Sequence, residues 1–268
     1  MRTLANLGHA RRLLFGLNVD AVTLSEAVAI SERALTTRQR LLVGVVNAAK
    51  VVKLNADQSL RESLLECDLL LADGQSVVWA SRFLGRPLPD RVAGIDLFES
   101  LLDLANRQGY RVYLLGATAD VLATLEEVIR VRWPGIKVAG SRDGYFKAVQ
   151  GVEIAADIAS SGADMLFLGM GTPAKELFLA RYADGLGVPI MHGVGGSFDV
   201  LAGVTRRAPD RWQRWGMEWA YRLLQEPRRL WRRYLVTNTA FLFLLLGERI
   251  RQRPAYTIDT HRIGSNHG

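Results

Sequence analysis

Five short apolar runs in this chain each stop at a small or polar residue, and that repeated pattern limits the folds open to it. The runs are LLVGVV before Asn47, LLLA before Asp73-Gly74, VYLL before Gly116, MLFL before Gly169 and VPIM before His192. None alternates apolar with polar residues, as a strand wet on one face would, so each reads as a strand buried on both faces. Amphipathic segments of helical length lie between them. Alternating β and α units build a mainly parallel sheet with helices on both sides. The same reading places further strands at residues 14–19 and 136–139. It places helices at 25–35, after Asn47, at 76–83, from Asp96 as an N-cap, after Thr118 and at 152–160.

A length of 268 residues with 49% hydrophobic content suffices for one large domain, or a domain with an appendage. The single cysteine, Cys67, excludes an internal disulfide and fits a reducing compartment; after Leu64-Leu65-Glu66 it reads as a core residue. The four histidines are too scattered for a metal site. Neither a P-loop nor a G-x-S-x-G elbow is present, which removes two large enzyme classes. The apolar run after Arg11-Arg12 is only LLFG, too short for a signal segment. No run reaches the ~20 apolar residues of a bilayer span. TAFLFLLL, at 239–246, could only dip into an interface or pack on a core. A cytoplasmic, non-integral protein is expected.

Ligands on parallel sheets bind beyond the carboxyl ends of the strands. Five such ends carry Asn47, Asp73-Gly74, Gly116, GMGTPAKE and HGVGGSFD. Asp73 reads either as a helix cap or as a general base over the cleft, and the residues alone leave both open. GMGTPA fits the G-x-G-x-x-A dinucleotide fingerprint, so a nucleotide-binding oxidoreductase is a competing reading. Against it, the unit comes late and the next strand lacks the acid that would hold a ribose. Its glycines and exposed helix N–H groups suit a diphosphate or sugar equally well. No Asp-x-Asp occurs, which leaves arginines as the charge partners of a diphosphate; no metal and no cofactor is expected.

The chain changes character after residue 200. Trp212, Trp215, Trp219 and Trp231 are four of its six tryptophans. Between 206 and 253 stand twelve arginines against four acids, a larger surplus than the net charge of +7 for the whole chain. The body is therefore near neutral and the tail alone is basic. Trp212, Trp215, Trp219 and Leu223 follow helical steps of three and four, and Arg222, Arg229 and Arg232 fall at spacings that would share a face. A core-packing helix with a solvated basic back accounts for this pattern. So does an interfacial helix at an anionic surface, which the density of both residue types favours, with a break at Pro227. A nucleic-acid module is the third reading and predicts steep salt dependence. The expected division is an α/β domain at 1–200, a basic amphipathic helical appendage at 201–253 and a disordered tail at 254–268.

At these residues the sequence resembles the WecG/TagA/CpsF family of bacterial glycosyltransferases. The likeness runs over roughly 41–246. It rests on Asn47, ADG at 72–74, RVAGID at 91–96, YLLGA at 113–117, DGYF at 143–146, GMGTPAKE at 169–176, VGGSFDVLAGVTRRAP and EWAYRLLQEPRRLWRRY. The resemblance implies a Rossmann-like sheet of the GT-E type and metal-independent, inverting transfer from a UDP-sugar to a polyprenyl-diphosphate-linked sugar. It implies a basic appendage that attaches to anionic membrane on the cytoplasmic face of the inner membrane and completes the site. It places Asp73 as the base, Asn47 and Arg91 in the pocket, and Arg222, Arg229 and Arg232 on the diphosphate. Gly171, Lys175, Glu176, Gly196 and Asp199 fall in the matched loops as substrate-binding candidates. Nucleic acid is not an expected partner, and a homo-oligomer stays open. Two departures from the family pattern bear on sugar recognition. Val45 replaces a frequent threonine and Lys175 the usual glutamine before Glu176. With these, the sequence looks nearest to the xanthan-type β-1,4-glucosyltransferases, so UDP-glucose is the expected donor and glucosyl-diphospho-polyprenol the acceptor. A UDP-N-acetylmannosamine transferase of the same family is the alternative.

Overall fold

The structure, a computed structural model, describes residues 8–257 apart from 210, 213, 214 and 226; at 222, 229, 230 and 233 it describes the backbone only. A hairpin comes first, β1 (Arg11–Leu14) against β2 (Leu17–Asp20). The continuous strand expected at 14–19 is therefore two strands. Phe15 and Gly16 both take positive φ, 53° and 83°, which is the two-residue turn that matches strand twist in a hairpin. An apolar run gives no warning of such a turn when its first corner is a phenylalanine.

Six strands then form one parallel sheet: β3 (Leu41–Val46), β4 (Leu69–Ala72), β5 (Arg111–Gly116), β6 (Lys137–Arg142), β7 (Met165–Gly169) and β8 (Ile190–Gly193). Their order is β4-β3-β8-β7-β5-β6, and every pairing is parallel. Side chains alternate between two buried faces. Val43, Val45, Leu69, Leu71, Leu114 and Phe167 join one core with α1 (Leu24–Thr37), α5 (Gly94–Gln108) and α6 (Ala119–Arg132). On the other face Tyr113, Leu115, Leu166 and Leu168 meet α7 (Gly151–Ser161) and α8 (Ala174–Tyr182). Further along that face, Val46, Leu70 and Ala72 pack with the hairpin, α2 (Ala48–Lys53), α3 (Gln58–Leu65) and α4 (Gln75–Phe83). β6 runs on to Arg142, three residues past its expected end, because Leu114 and Leu115 of β5 still offer partners to Ser141 and Arg142.

Asp96 is not the cap of α5. Ala93 takes that place without a side-chain bond, and Asp96 stands in the first turn, free to pair with arginines. Close approach of two strand ends needs glycine at Gly116, where a Cβ would lie 2.4 Å from the Gly169 carbonyl carbon.

After α9 (Ser197–Leu201) the chain reaches α10 (Glu218–Gln225) and α11 (Pro227–Ile250). The tryptophan stripe does not lie on one helix. Trp215 and Gly216 form a turn, Gly216 has φ +65°, and α10 begins only at Glu218. Arg222 stands on α10 and Arg229 and Arg232 on α11, where the last two are one turn apart. TAFLFLLL divides between two roles. Phe241 is buried, its ring 5.4 Å from Phe15, and Leu244 and Leu245 pack on the same core. Leu242, Phe243 and Leu246 point outward. Glu248, also buried, receives Arg86 at 3.4 Å and the Arg253 N–H at 3.2 Å. Of the expected tail, Tyr256 lies over Gly16 and its hydroxyl donates to Asn55 at 2.9 Å; residues 258–268 lie outside the described residues.

Candidate active site

The carboxyl ends of β3, β4, β7 and β8 carry most of the residues singled out in the sequence. Asn47 follows β3 as the N-cap of α2, its Oδ1 accepting from Lys50 N–H at 3.1 Å. That cap leaves the Asn47 amide nitrogen 3.5 Å from Asp73 Oδ2, at the long end of hydrogen-bond range. Asp73 N–H donates to Val46 O at 3.0 Å, so strand pairing runs one residue beyond β4 and fixes where the aspartate stands.

Asp73 does not cap the helix that follows it. Gly74 is the N-cap of α4 and makes no side-chain bond. Asp73 Oδ1 instead accepts from Gly94 N–H at 2.9 Å, which is an otherwise unpaired donor at the start of α5. One oxygen is thus held by backbone, while the other has only the Asn47 amide as a hydrogen-bond partner among the described residues. The segment leading into Gly94 is tied to the same strand end, Val92 N–H donating to Ala72 O at 3.0 Å.

Arg91 begins that segment and reaches across to α10. Its Nη1 donates to Glu218 Oε2 at 2.7 Å and its Nη2 lies 3.7 Å from Asp96. Asp96 also pairs with Arg207, which lies 3.8 Å from Glu99. A chain of alternating charges therefore runs from α5 through Arg91 to α10. Glu218 and Arg207 were not singled out in the sequence, since nothing local marks an acid as the partner of an arginine 127 residues away.

Lys175 and Glu176 lie behind the rim and are both buried. Glu176 Oε1 accepts from Thr172 at 3.0 Å and stands 3.4 Å from Lys175 Nζ and 3.5 Å from Lys50 Nζ; Oε2 has no partner among the described residues. Lys50 also donates to Val45 O at 2.9 Å. The Lys175 ammonium is held below its ordinary pKa, by burial first and by Lys50 second; Glu176 and Asp73 oppose both. Gly193 makes room for this side chain, because a Cβ there would lie 2.9 Å from Lys175 Cδ. Lys50, Cys67, Lys175, Glu176 and Gly193 share the lining of a small cavity. Burial pushes the Cys67 thiol up to about 12, which suits the core role read for it.

Gly171 is exposed in the turn between β7 and α8, and Gly196 is exposed as the N-cap of α9. Asp199, half-buried on α9, uses its carbonyl to accept from Val204 and Thr205 N–H. Arg232 is exposed on α11; the side chains of Arg222 and Arg229 lie outside the described residues. The structure thus gathers Asn47, Asp73, Arg91, Lys175 and Glu176 along adjoining strand ends, with Gly171, Gly196 and Asp199 on the two neighbouring loops. Lys50 joins them, and its only sequence signal is its place three residues after a capping asparagine.

A parallel sheet with glycine-rich turns and a fixed carboxylate at the carboxyl ends of its strands is a Rossmann-like fold with a polar edge suited to a small ligand. The chain belongs to the WecG/TagA/CpsF family of glycosyl transferases, whose profile matches residues 12–255, and is a sugar-transferring enzyme. It is 40% identical, over 215 residues, to the N-acetylglucosaminyldiphosphoundecaprenol N-acetyl-beta-D-mannosaminyltransferase of Bacillus spizizenii, covering 80% of this chain and 82% of that protein. This relationship overturns the xanthan-type glucosyltransferase reading and its UDP-glucose donor. The structure supplies the reason. Val45 is 9% exposed and packs in the core beneath Gly94, and Lys175 is 8% exposed. Both departures lie beneath the rim and are poor guides to the sugar above it.

Proposed function

We propose that this enzyme transfers N-acetylmannosamine from UDP-N-acetylmannosamine to N-acetylglucosaminyl-diphospho-polyprenol at a membrane surface. The observation that carries this reading is the 40% identity to a mannosaminyltransferase across most of both chains. The β-linkage in that relative's name, set against the α-linkage of a nucleotide sugar, fits an inverting displacement. In such a step the acceptor hydroxyl must lose its proton as its oxygen bonds to the anomeric carbon. Asp73 takes that proton on Oδ2, the oxygen not committed to Gly94. UDP leaves on the opposite side with growing negative charge. Arg222, Arg229 and Arg232, with Arg91 at the rim, supply positive charge for it without a metal ion.

The membrane reading moves from the tryptophan stripe to the outer face of α11. Trp231, Leu235, Leu242, Leu246 and Ile250 succeed one another by four and seven residues and are all exposed. Arg228, Arg232, Arg249 and Arg251 are exposed around them. Apolar side chains ringed by arginine suit the boundary of an anionic bilayer. No helix among the described residues is long and apolar enough to cross a membrane. On this reading the enzyme works peripherally at the cytoplasmic face of the inner membrane, where its lipid-linked acceptor would lie.

The test is UDP release from a panel of UDP-sugars, with a short-chain prenyl-diphosphate N-acetylglucosamine as acceptor, in buffer with and without excess chelator. Turnover should be largest with UDP-N-acetylmannosamine and should survive the chelator. Turnover with another UDP-sugar and none with UDP-N-acetylmannosamine would overturn the donor assignment. Loss in chelator that magnesium restores would overturn the metal-free step.

A further inference from the structure

His192 is the polar residue most deeply set in the sheet, with no exposed surface. It lies on the central strand β8, in register with Val43 of β3 and Phe167 of β7. A buried ring needs partners for its nitrogens. Nε2 lies 3.1 Å from Gly94 O and Nδ1 lies 3.4 Å from Val43 O. Both partners are carbonyl acceptors, yet burial pulls the ring below its ordinary pKa, with those carbonyls and Asp73 opposing. A neutral ring has one N–H to give. The shorter contact takes it, so Nε2 donates to Gly94 O.

Gly94 therefore carries two bonds at once. Its carbonyl accepts from His192, and its N–H donates to Asp73 Oδ1 at 2.9 Å. With its carbonyl anchored from below, the glycine has less freedom to turn its N–H away from the carboxylate. We propose that His192 is a positioning residue for Asp73, acting through Gly94 to aim the carboxylate at the acceptor. This rests on the reading of Asp73 as the base. A leucine at 192 would fill the space but anchor nothing, and an asparagine would reach only the side facing Val43. A glutamine can place its amide N–H near the position of Nε2.

The experiment measures kcat, donor KM and UDP affinity for His192→Leu, His192→Asn and His192→Gln, with Asp73→Asn in parallel. The donor is whichever UDP-sugar the unaltered enzyme turns over. Misaiming a reacting group costs roughly ten- to a hundredfold. The Leu and Asn variants should lose that much kcat with donor KM and UDP affinity little changed, and the Gln variant should recover most of it. If the Leu variant does not fold, the contrast between Asn and Gln decides. Equal activity of the Asn and Gln variants, or losses that fall on KM and kcat alike, would reduce His192 to core packing and overturn the proposal. Near-normal turnover in folded Asp73→Asn would remove the base reading and this inference with it. Low turnover there beside normal kcat in His192→Leu or His192→Asn would sink the inference alone.

Discussion

The sheet rim and the C-terminal segment use polar and apolar residues in opposite ways. At the rim and just behind it, the polar groups turn inward and are mostly satisfied by named partners: Asn47 on Lys50 N–H, Asp73 on Gly94 N–H, His192 on Gly94 O, Glu176 on Thr172. In the C-terminal segment the large apolar side chains turn outward, with Trp215 73% and Phe243 71% exposed. The first arrangement fixes a geometry at the cost of burying polar atoms. The second leaves surface that water serves poorly. A rim of this kind suits chemistry on a small ligand held in one pose. An outward apolar face suits a surface that the protein must find and leave. Helix α11 contains both habits, since Phe241 and Glu248 face the body while Leu242 and Leu246 face away.

The sharpest way to break this comparison is at Asp73. Asp73→Asn keeps an acceptor for Gly94 N–H and removes the proton acceptor, so fold and chemistry separate. Turnover should fall by about two to four orders of magnitude, while UDP affinity measured by titration stays near that of the unaltered enzyme. A folded variant with near-normal kcat would return Asp73 to its other task, closing the start of α5.

Next in size is the join between the two regions. Phe241 fills the space beside Phe15, so Phe241→Ala should leave a cavity and cost about 3 kcal/mol of unfolding free energy in urea titration. A loss below about 1 kcal/mol would mean the appendage end rests on the body without supporting it. The same packing bears on truncation: a chain ending at Leu201 would lose Phe241, Glu248 and Tyr256 together, uncovering the hairpin and α2.

How much of this was open to reading follows from where each signal lies. Strands β3, β4, β5 and β7 were legible because a doubly buried strand is a run of apolar residues and nothing else. The rim was legible because each run stops at Gly, Asn or Asp. Asp73 could be placed but not interpreted, because its partner Gly94 lies 21 residues on and is joined to it only by the fold. His192 read as one scattered histidine among four, and its meaning comes from two carbonyls on other elements. The hairpin, the Asp96 cap and the single tryptophan helix failed for a common reason. Each turns on one backbone choice, at Phe15-Gly16, Ala93 and Gly216, that hydrophobic periodicity does not record. The donor sugar failed because it was argued from Val45 and Lys175, which are buried under the site.

A third test addresses the outward face of α11. Leu242→Glu with Leu246→Glu places two charges on exposed positions and leaves Phe241, Leu244 and Leu245 in the core. Sedimentation with anionic vesicles should weaken by about tenfold or more, since each leucine gives up its burial in the bilayer boundary. UDP binding in solution should be unchanged. Equal sedimentation of both proteins would move the contact elsewhere on the appendage, with the exposed Trp215 and Trp219 the next place to look.

The smallest expected effect lies behind the rim and concerns Lys175. Its ammonium is held below its ordinary pKa chiefly by burial, although Glu176 lies 3.4 Å away. In the unfolded chain the same group keeps the usual lysine value near 10.4. Between the lowered folded value and that unfolded value, the unfolded chain binds more protons than the folded one. Stability from this group therefore rises with pH across that window, and the penalty of burying the charge is full below it. Lys175→Gln removes the titration and keeps hydrogen-bonding capacity toward Thr172 and Glu176. The difference in unfolding free energy, unaltered enzyme minus variant, should grow as pH is raised from 7.5 toward 10, by less than the effects above. Glu176, Lys50 and Cys67 are common to both proteins and cancel to first order. A difference that stays flat with pH would show that the ammonium pays no net penalty for its burial, and that Glu176 and Asp73 offset it in full.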